Sequence, residues 1–135
     1  MEVFRGKSAA HAKKNATAQL EFLLAQHKDS PILFMVSGGS SLVLLEGLQI
    51  SGNMTLTVLD ERYSKDPAAS NFNKLQRYEF FQNASHTLDV RVQENEPLEQ
   101  FASRFEELLR NWKEQNPSGV VVATQGVAAD GHTAG

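Results

Sequence analysis

Two stretches of unbroken apolar sequence, Ile32-Leu33-Phe34-Met35-Val36 and Val120-Val121-Val122-Ala123, constrain the fold of this chain more than any other feature. Each has strand length and neither alternates with polar residues, so each predicts a strand covered on both faces, as in a parallel sheet. Met54-Thr55-Leu56-Thr57-Val58-Leu59 predicts a third strand, and a weaker one falls at 87–92. Helical patterns lie between them. Over 8–26, Ala9, Ala12, Ala16, Leu20, Leu23 and Leu24 recur at three-to-four-residue spacing, which predicts a helix with a narrow, Ala-rich buried stripe. Residues 42–48 predict a short helix capped by Ser40 and Ser41, and 72–81 a further one behind Ser70-Asn71. Pro97 opens the clearest helix, with Leu98, Phe101, Phe105, Leu108, Leu109 and Trp112 along one face. This alternation over a single domain, 1–135, predicts an α/β class. The expected form is a Rossmann-like open, mostly parallel sheet with helices on both faces.

Composition removes several function classes. Thirteen basic residues against 16 acidic give a net charge of −3, and no basic cluster exceeds Lys13-Lys14, so no nucleic-acid partner is expected. Without cysteine there is no disulfide framework, thiolate nucleophile or Cys-based metal site. No apolar run approaches the roughly 18 residues of a membrane span. The N-terminus turns polar at once, so the expected location is cytoplasmic with no membrane partner.

In open parallel sheets ligands bind beyond the C-terminal ends of the strands. Three loops that follow strong strands there carry chemistry. Ser37-Gly38-Gly39-Ser40-Ser41 offers glycines that admit close approach, hydroxyl donors and a helix start. It lacks the Gly-Lys-Ser/Thr of a nucleotide loop. The bland alternative is a tight serine-capped turn. Asp60-Glu61-Arg62 supplies a candidate acid or base in Asp60 and an anion-binding fork in Arg62, or else a surface ion pair where a strand leaves the core. Asp130-Gly131-His132 places a carboxylate two residues from an imidazole, the pairing that lets histidine take a proton from water. The bland alternative is an exposed turn. His11, His27 and His86 lie in polar surroundings, and one His with scattered carboxylates lacks zinc-ligand spacing, so no metal is expected.

Taken together, Ser37-Gly38-Gly39-Ser40, Leu59-Asp60-Glu61-Arg62 with Ser70-Asn71, and Gly126-x-x-x-Asp130-Gly131-His132-Thr133-Ala134 resemble the 6-phosphogluconolactonases in order and spacing. That family belongs to a group shared with glucosamine-6-phosphate deaminases. Arg62 and Thr133 stand where the deaminases usually carry Tyr and Ile, which favours the lactonase branch. The resemblance implies hydrolysis of 6-phosphogluconolactone, with His132 activating water and Asp130 and Asp60 beside it. It implies that Ser37, Gly38, Gly39, Ser40, Arg62, Asn71 and Gly131 contact the sugar phosphate, and that no cofactor is needed. The alternatives are a glucosamine-6-phosphate deaminase/isomerase activity and a non-catalytic sugar-phosphate-binding fragment. Two departures touch the site: Ser-Ser-Leu at 40–42 and Ala128-Ala129 before Asp130 differ from the family's usual residues. The family's domain also continues well past the His motif, so the chain corresponds to its N-terminal portion, truncated at the C-terminus. On that reading the phosphate pocket lacks its C-terminal wall. The 135-residue chain is then expected to lack turnover alone and to self-associate or recruit a partner chain that completes the sheet.

Overall fold

The chain alternates strands and helices in the order α1 (Ala9–Gln26), β1 (Ile32–Val36), a 3-10 helix (Gly39–Leu45), β2 (Met54–Val58), α2 (Asn71–Leu75), α3 (Glu79–Gln82), β3 (His86–Thr87), α4 (Leu98–Gln115) and β4 (Val120–Thr124). This is a computed structural model describing residues 2–48, 53–84 and 86–133, the side chain of Ser40 excepted. The described strands form one parallel sheet in the order β3-β2-β1-β4. Register is fixed across the centre, with Phe34 beside Leu56 on one side and Val122 on the other.

Successive side chains of a strand point to opposite faces, and the core divides accordingly. Ile32, Phe34 and Val36 join Met54, Leu56 and Val58 in one cluster with Leu20 and Leu24 of α1, Leu42 and Leu45 of the 3-10 helix, and Phe72 and Leu75 of α2. Leu33 and Met35 belong to a second cluster with Trp112 and Leu109 of α4. Trp112 also donates its indole N–H to Thr55 Oγ1 at 3.1 Å. The centre of the sheet is therefore covered on both faces, as expected, and β1 is buried at all five residues.

Four local expectations are corrected. The helix expected over 72–81 breaks at Tyr78, whose extended backbone (φ −87°, ψ 138°) starts α3. At about 100° per residue, Phe72 and Phe81 would lie on opposite sides of one helix. The break lets them meet edge-on at 5.4 Å. The strand expected over 87–92 shrinks to the two residues of β3, because beyond Leu88 the chain turns into an Asp89–Arg91 ion pair. The Ala-rich stripe of α1 buries only Leu20 and Leu24, leaving Ala9, Ala12, Ala16 and Leu23 exposed. Last, β4 is buried on one face only: Val122 and Thr124 are covered, Val121 and Ala123 are not. Among the described strands β4 ends the sheet, with β1 on one side only.

Among the described residues, no helix is long and apolar enough to cross a membrane.

Candidate functional site

Sheet order decides where a cleft can form. From β1 the chain steps outward through β2 to β3, then returns to the far side of β1 for β4. The strand order reverses between β1 and β4, and a crevice opens at such a switch point beyond the strands' C-terminal ends. The loops leaving β1 and β4 diverge there, with the loop leaving β2 alongside. A cleft of about 560 Å³ occupies the place, lined by Ser37, Gly38 and Gly39 after β1, Asp60 and Arg62 after β2, and Gly126, Val127, Ala128, His132 and Thr133 after β4. Ala69, Asn71 and Lys74 complete the lining from α2 and its approach.

Ser37, 3 % exposed, is part of the frame of this cleft. Its Oγ lies 2.6 Å from Ser41 Oγ and accepts the Gly126 N–H at 3.2 Å, tying the glycine loop to the start of the His loop. Ser41 also donates to the Gly38 carbonyl at 3.3 Å. Ser41 therefore does not cap the short helix as expected; Gly38 occupies the cap position with no side-chain bond, and the helix is 3-10. The side chain of Ser40 lies outside the described residues. Gly39 takes a positive φ of 67°. At Gly38 a Cβ would fall 2.6 Å from Asn71 Oδ1, so the glycine makes room for the asparagine.

Asn71 is the hub between the β1 and β2 loops. Only 5 % exposed, it donates from Nδ2 to Asp60 Oδ2 at 3.0 Å and to the Asp60 carbonyl at 3.1 Å. The ion-pair alternative for Asp60-Glu61-Arg62 is not what forms. Among the described residues Arg62 pairs with no carboxylate, and its side chain borders the cleft.

In the β4 loop, Asp130 Oδ1 sits 2.6 Å from His132 Nδ1 and also accepts the His132 backbone N–H at 3.3 Å. The His132 bond holds the Asp130 carboxyl below the usual carboxylate range. With Nδ1 engaged, Nε2 is the ring nitrogen left for chemistry. Both side chains are open to water, His132 at 67 % and Asp130 at 72 %. Asp130 and Gly131 do not line the cleft; Asp130 reaches it only through His132, and Gly131 supplies the turn with φ 89°. Among the described residues no three His, Asp or Glu side chains cluster closely enough to hold a metal ion.

Sequence reasoning missed Lys74. It lines the cleft with Arg62, and its Nζ donates to the Ala69 carbonyl at 3.2 Å. The signal was the helical spacing itself, since three residues after Asn71 returns to the same helix face.

Fold and cleft together define an open parallel α/β protein with a polar, cation-bordered crevice at its topological switch point. The sequence matches no protein-family model and no curated protein. Among solved structures it is similar to a 6-phosphogluconolactonase from Shewanella baltica OS155, with a TM-score of 0.73 and 24 % identity over 98 % of this chain. The chain spans 60 % of that structure's length. The likeness carries the fold.

Proposed function

We propose that the cleft is a sugar-phosphate site of the 6-phosphogluconolactonase type, and that the reaction it serves is hydrolysis of 6-phosphogluconolactone. The observation that carries the proposal is the convergence of Asp60, Arg62, Asn71, His132 and the glycine loop on one cleft at the switch point. The structural neighbour's activity is in accord with it. In this reading His132 Nε2 takes a proton from water as the oxygen bonds to the lactone carbonyl carbon. Asp130 holds the tautomer and the imidazolium that forms. Collapse breaks the ring C–O bond, the proton on His132 passes to the departing oxygen to make it a hydroxyl, and the new carboxyl group releases its own proton to solvent, leaving the carboxylate of 6-phosphogluconate. Arg62 and Lys74 offer cations to the phosphate, and the Asp60 carboxylate, steadied by Asn71, offers acceptors to sugar hydroxyls.

The exposure of His132 favours a second reading for the 135-residue chain by itself, namely binding without turnover. Water-filled surroundings weaken the electrostatic help a transition state needs.

The test is a titration of 6-phosphogluconate into the chain, followed through backbone amide signals. Shifts should centre on Gly38, Gly39, Asp60, Asn71 and His132. Arg62→Ala should weaken binding, with Arg62→Lys recovering only part of the loss because a planar fork becomes a point charge. Lactone hydrolysis is assayed beside ammonia release from glucosamine 6-phosphate, in the chain and in a form extended past Gly135. His132→Ala should lower hydrolysis by about 10²–10⁴-fold while sparing 6-phosphogluconate binding. Ammonia release without hydrolysis would move the proposal to the deaminase class, and shifts elsewhere on the surface would remove the site.

A further inference from the structure

Glu61 stands between two residues of the cleft, Asp60 and Arg62, yet does not line it. Its carboxylate turns to the loop instead, and both oxygens are fully engaged. Oε1 accepts the backbone N–H of Arg62 at 2.7 Å and of Asn71 at 2.8 Å. Oε2 accepts Ser70 Oγ–H at 2.8 Å and the Phe72 N–H at 2.9 Å. A carboxylate has about four lone-pair sites, so this one is saturated. Two of the donors are first-turn amides of α2, ten and eleven residues further on. Glu61 thus closes the loop between β2 and α2 upon itself.

We infer that Glu61 is a positioning residue of the cleft. By fixing the backbone of Asn71 it aims the Asn71 side-chain amide at the Asp60 carboxylate. The neighbouring acids divide the work: Asp60 faces the ligand space, and Glu61 holds the group that holds Asp60. Glutamine cannot substitute. Its single carbonyl oxygen can serve one pair of donors, and its NH2 then confronts at least one backbone N–H, that of Phe72 or those of Arg62 and Asn71, donor against donor, since only the Ser70 hydroxyl can turn to accept. The positioning stands on the geometry; its consequence for ligand rests on the sugar-phosphate reading above.

The experiment uses the 135-residue chain with Glu61→Gln, Ser70→Ala, Asn71→Ala and the Glu61→Gln/Asn71→Ala double variant. One arm reads hydrogen exchange of the Asn71 Nδ2 protons by NMR, beside a thermal melt. Loss of a charge-assisted anchor should speed that exchange by about tenfold or more in Glu61→Gln. The melt should stay within about 5 °C of the parent. Ser70→Ala keeps the carboxylate but removes one of its donors together with the hydroxyl that caps the Asn73 N–H, and should show a smaller effect of the same sign. It also decides the question if Glu61→Gln does not fold. The second arm reads 6-phosphogluconate affinity, where loss of a supporting partner should weaken binding about 10–100-fold. In the Asn71→Ala background Glu61→Gln should add less than about twofold, because the effect travels through Asn71. Parent-like Asn71 exchange in both Glu61→Gln and Ser70→Ala, or losses that add in full, would overturn the inference. A parent chain that binds no 6-phosphogluconate removes the sugar-phosphate reading, while the exchange arm still decides the role of Glu61.

Discussion

Gly38 has φ −67°, which any residue can adopt, so the requirement for glycine there comes from space rather than torsion. Its missing Cβ is where Asn71 Oδ1 sits. Gly39 is the reverse: φ is 67° and nothing lies within 4 Å of an added Cβ. Alanine at the two positions should therefore fail differently. Gly39→Ala should cost about 1–2 kcal/mol of stability from left-handed strain and leave the Asn71–Asp60 bond in place. Gly38→Ala should displace Asn71 and release Asp60, loosening ligand more than it lowers the melting temperature. Paired denaturant melts and 6-phosphogluconate titrations separate the two, and equal effects on both readouts would count against the packing account. The glycine pair was legible in the sequence, but which glycine does which was not. That difference depends on a side chain 33 residues away by number, Asn71, arriving over Gly38.

At the scale of elements, what could be read depended on how local its cause was. β1, β2 and α4 follow from apolar runs and helical spacing, and they stand within a few residues of their expected bounds. The break at Tyr78 brings Phe72 against Phe81, and beyond β3 the chain carries the Asp89–Arg91 pair, side-chain contacts that periodicity does not encode. The start of α4 rests on another such contact. Glu96, with its side chain 7 % exposed, accepts Arg104 Nε at 2.7 Å and Nη2 at 2.9 Å, and the Gln93 N–H at 2.9 Å. Tyr63 donates its hydroxyl to the Glu96 carbonyl at 2.7 Å, linking this corner to the Arg62 loop. Arg104 above all, with the Gln93 N–H assisting against burial, holds the Glu96 carboxyl below the ordinary glutamate range. A lowered folded pKa means the native state binds fewer protons than the unfolded chain. The stability it contributes is present above the unfolded glutamate pKa and lost as pH falls through the folded one. Between neutral pH and about pH 3 the parent should lose more stability than Glu96→Gln, which has no such proton to bind. Denaturant melts at the two pH values measure the difference, and parallel acid losses in both proteins would remove Glu96 from the account.

For the molecule as a whole, the open end of the sheet sets the behaviour to expect. β4 has β1 on one side and no described strand on the other. Its sequence, Val120 to Thr124, carries neither the charge nor the proline that usually guards an edge. Val121 stands 53 % exposed on one face. Toward α1 lies an apolar groove of about 660 Å³, lined by Ala12, Ala16, Leu20, Leu23, Leu44 and Val122. An unguarded apolar edge beside an uncovered helix stripe is a template for another strand. The 135-residue chain should therefore self-associate through β4, its apparent mass rising with concentration in light scattering. Val121→Lys places a charge on the exposed face of the edge without touching the buried Val122, and should shift the chain toward monomer while the melt stays cooperative. The cleft lies beyond the C-terminal ends of the strands, so 6-phosphogluconate affinity should be unchanged by Val121→Lys. A chain that stays monomeric at every concentration, or whose association ignores Val121→Lys, would show that this edge is not the route of association.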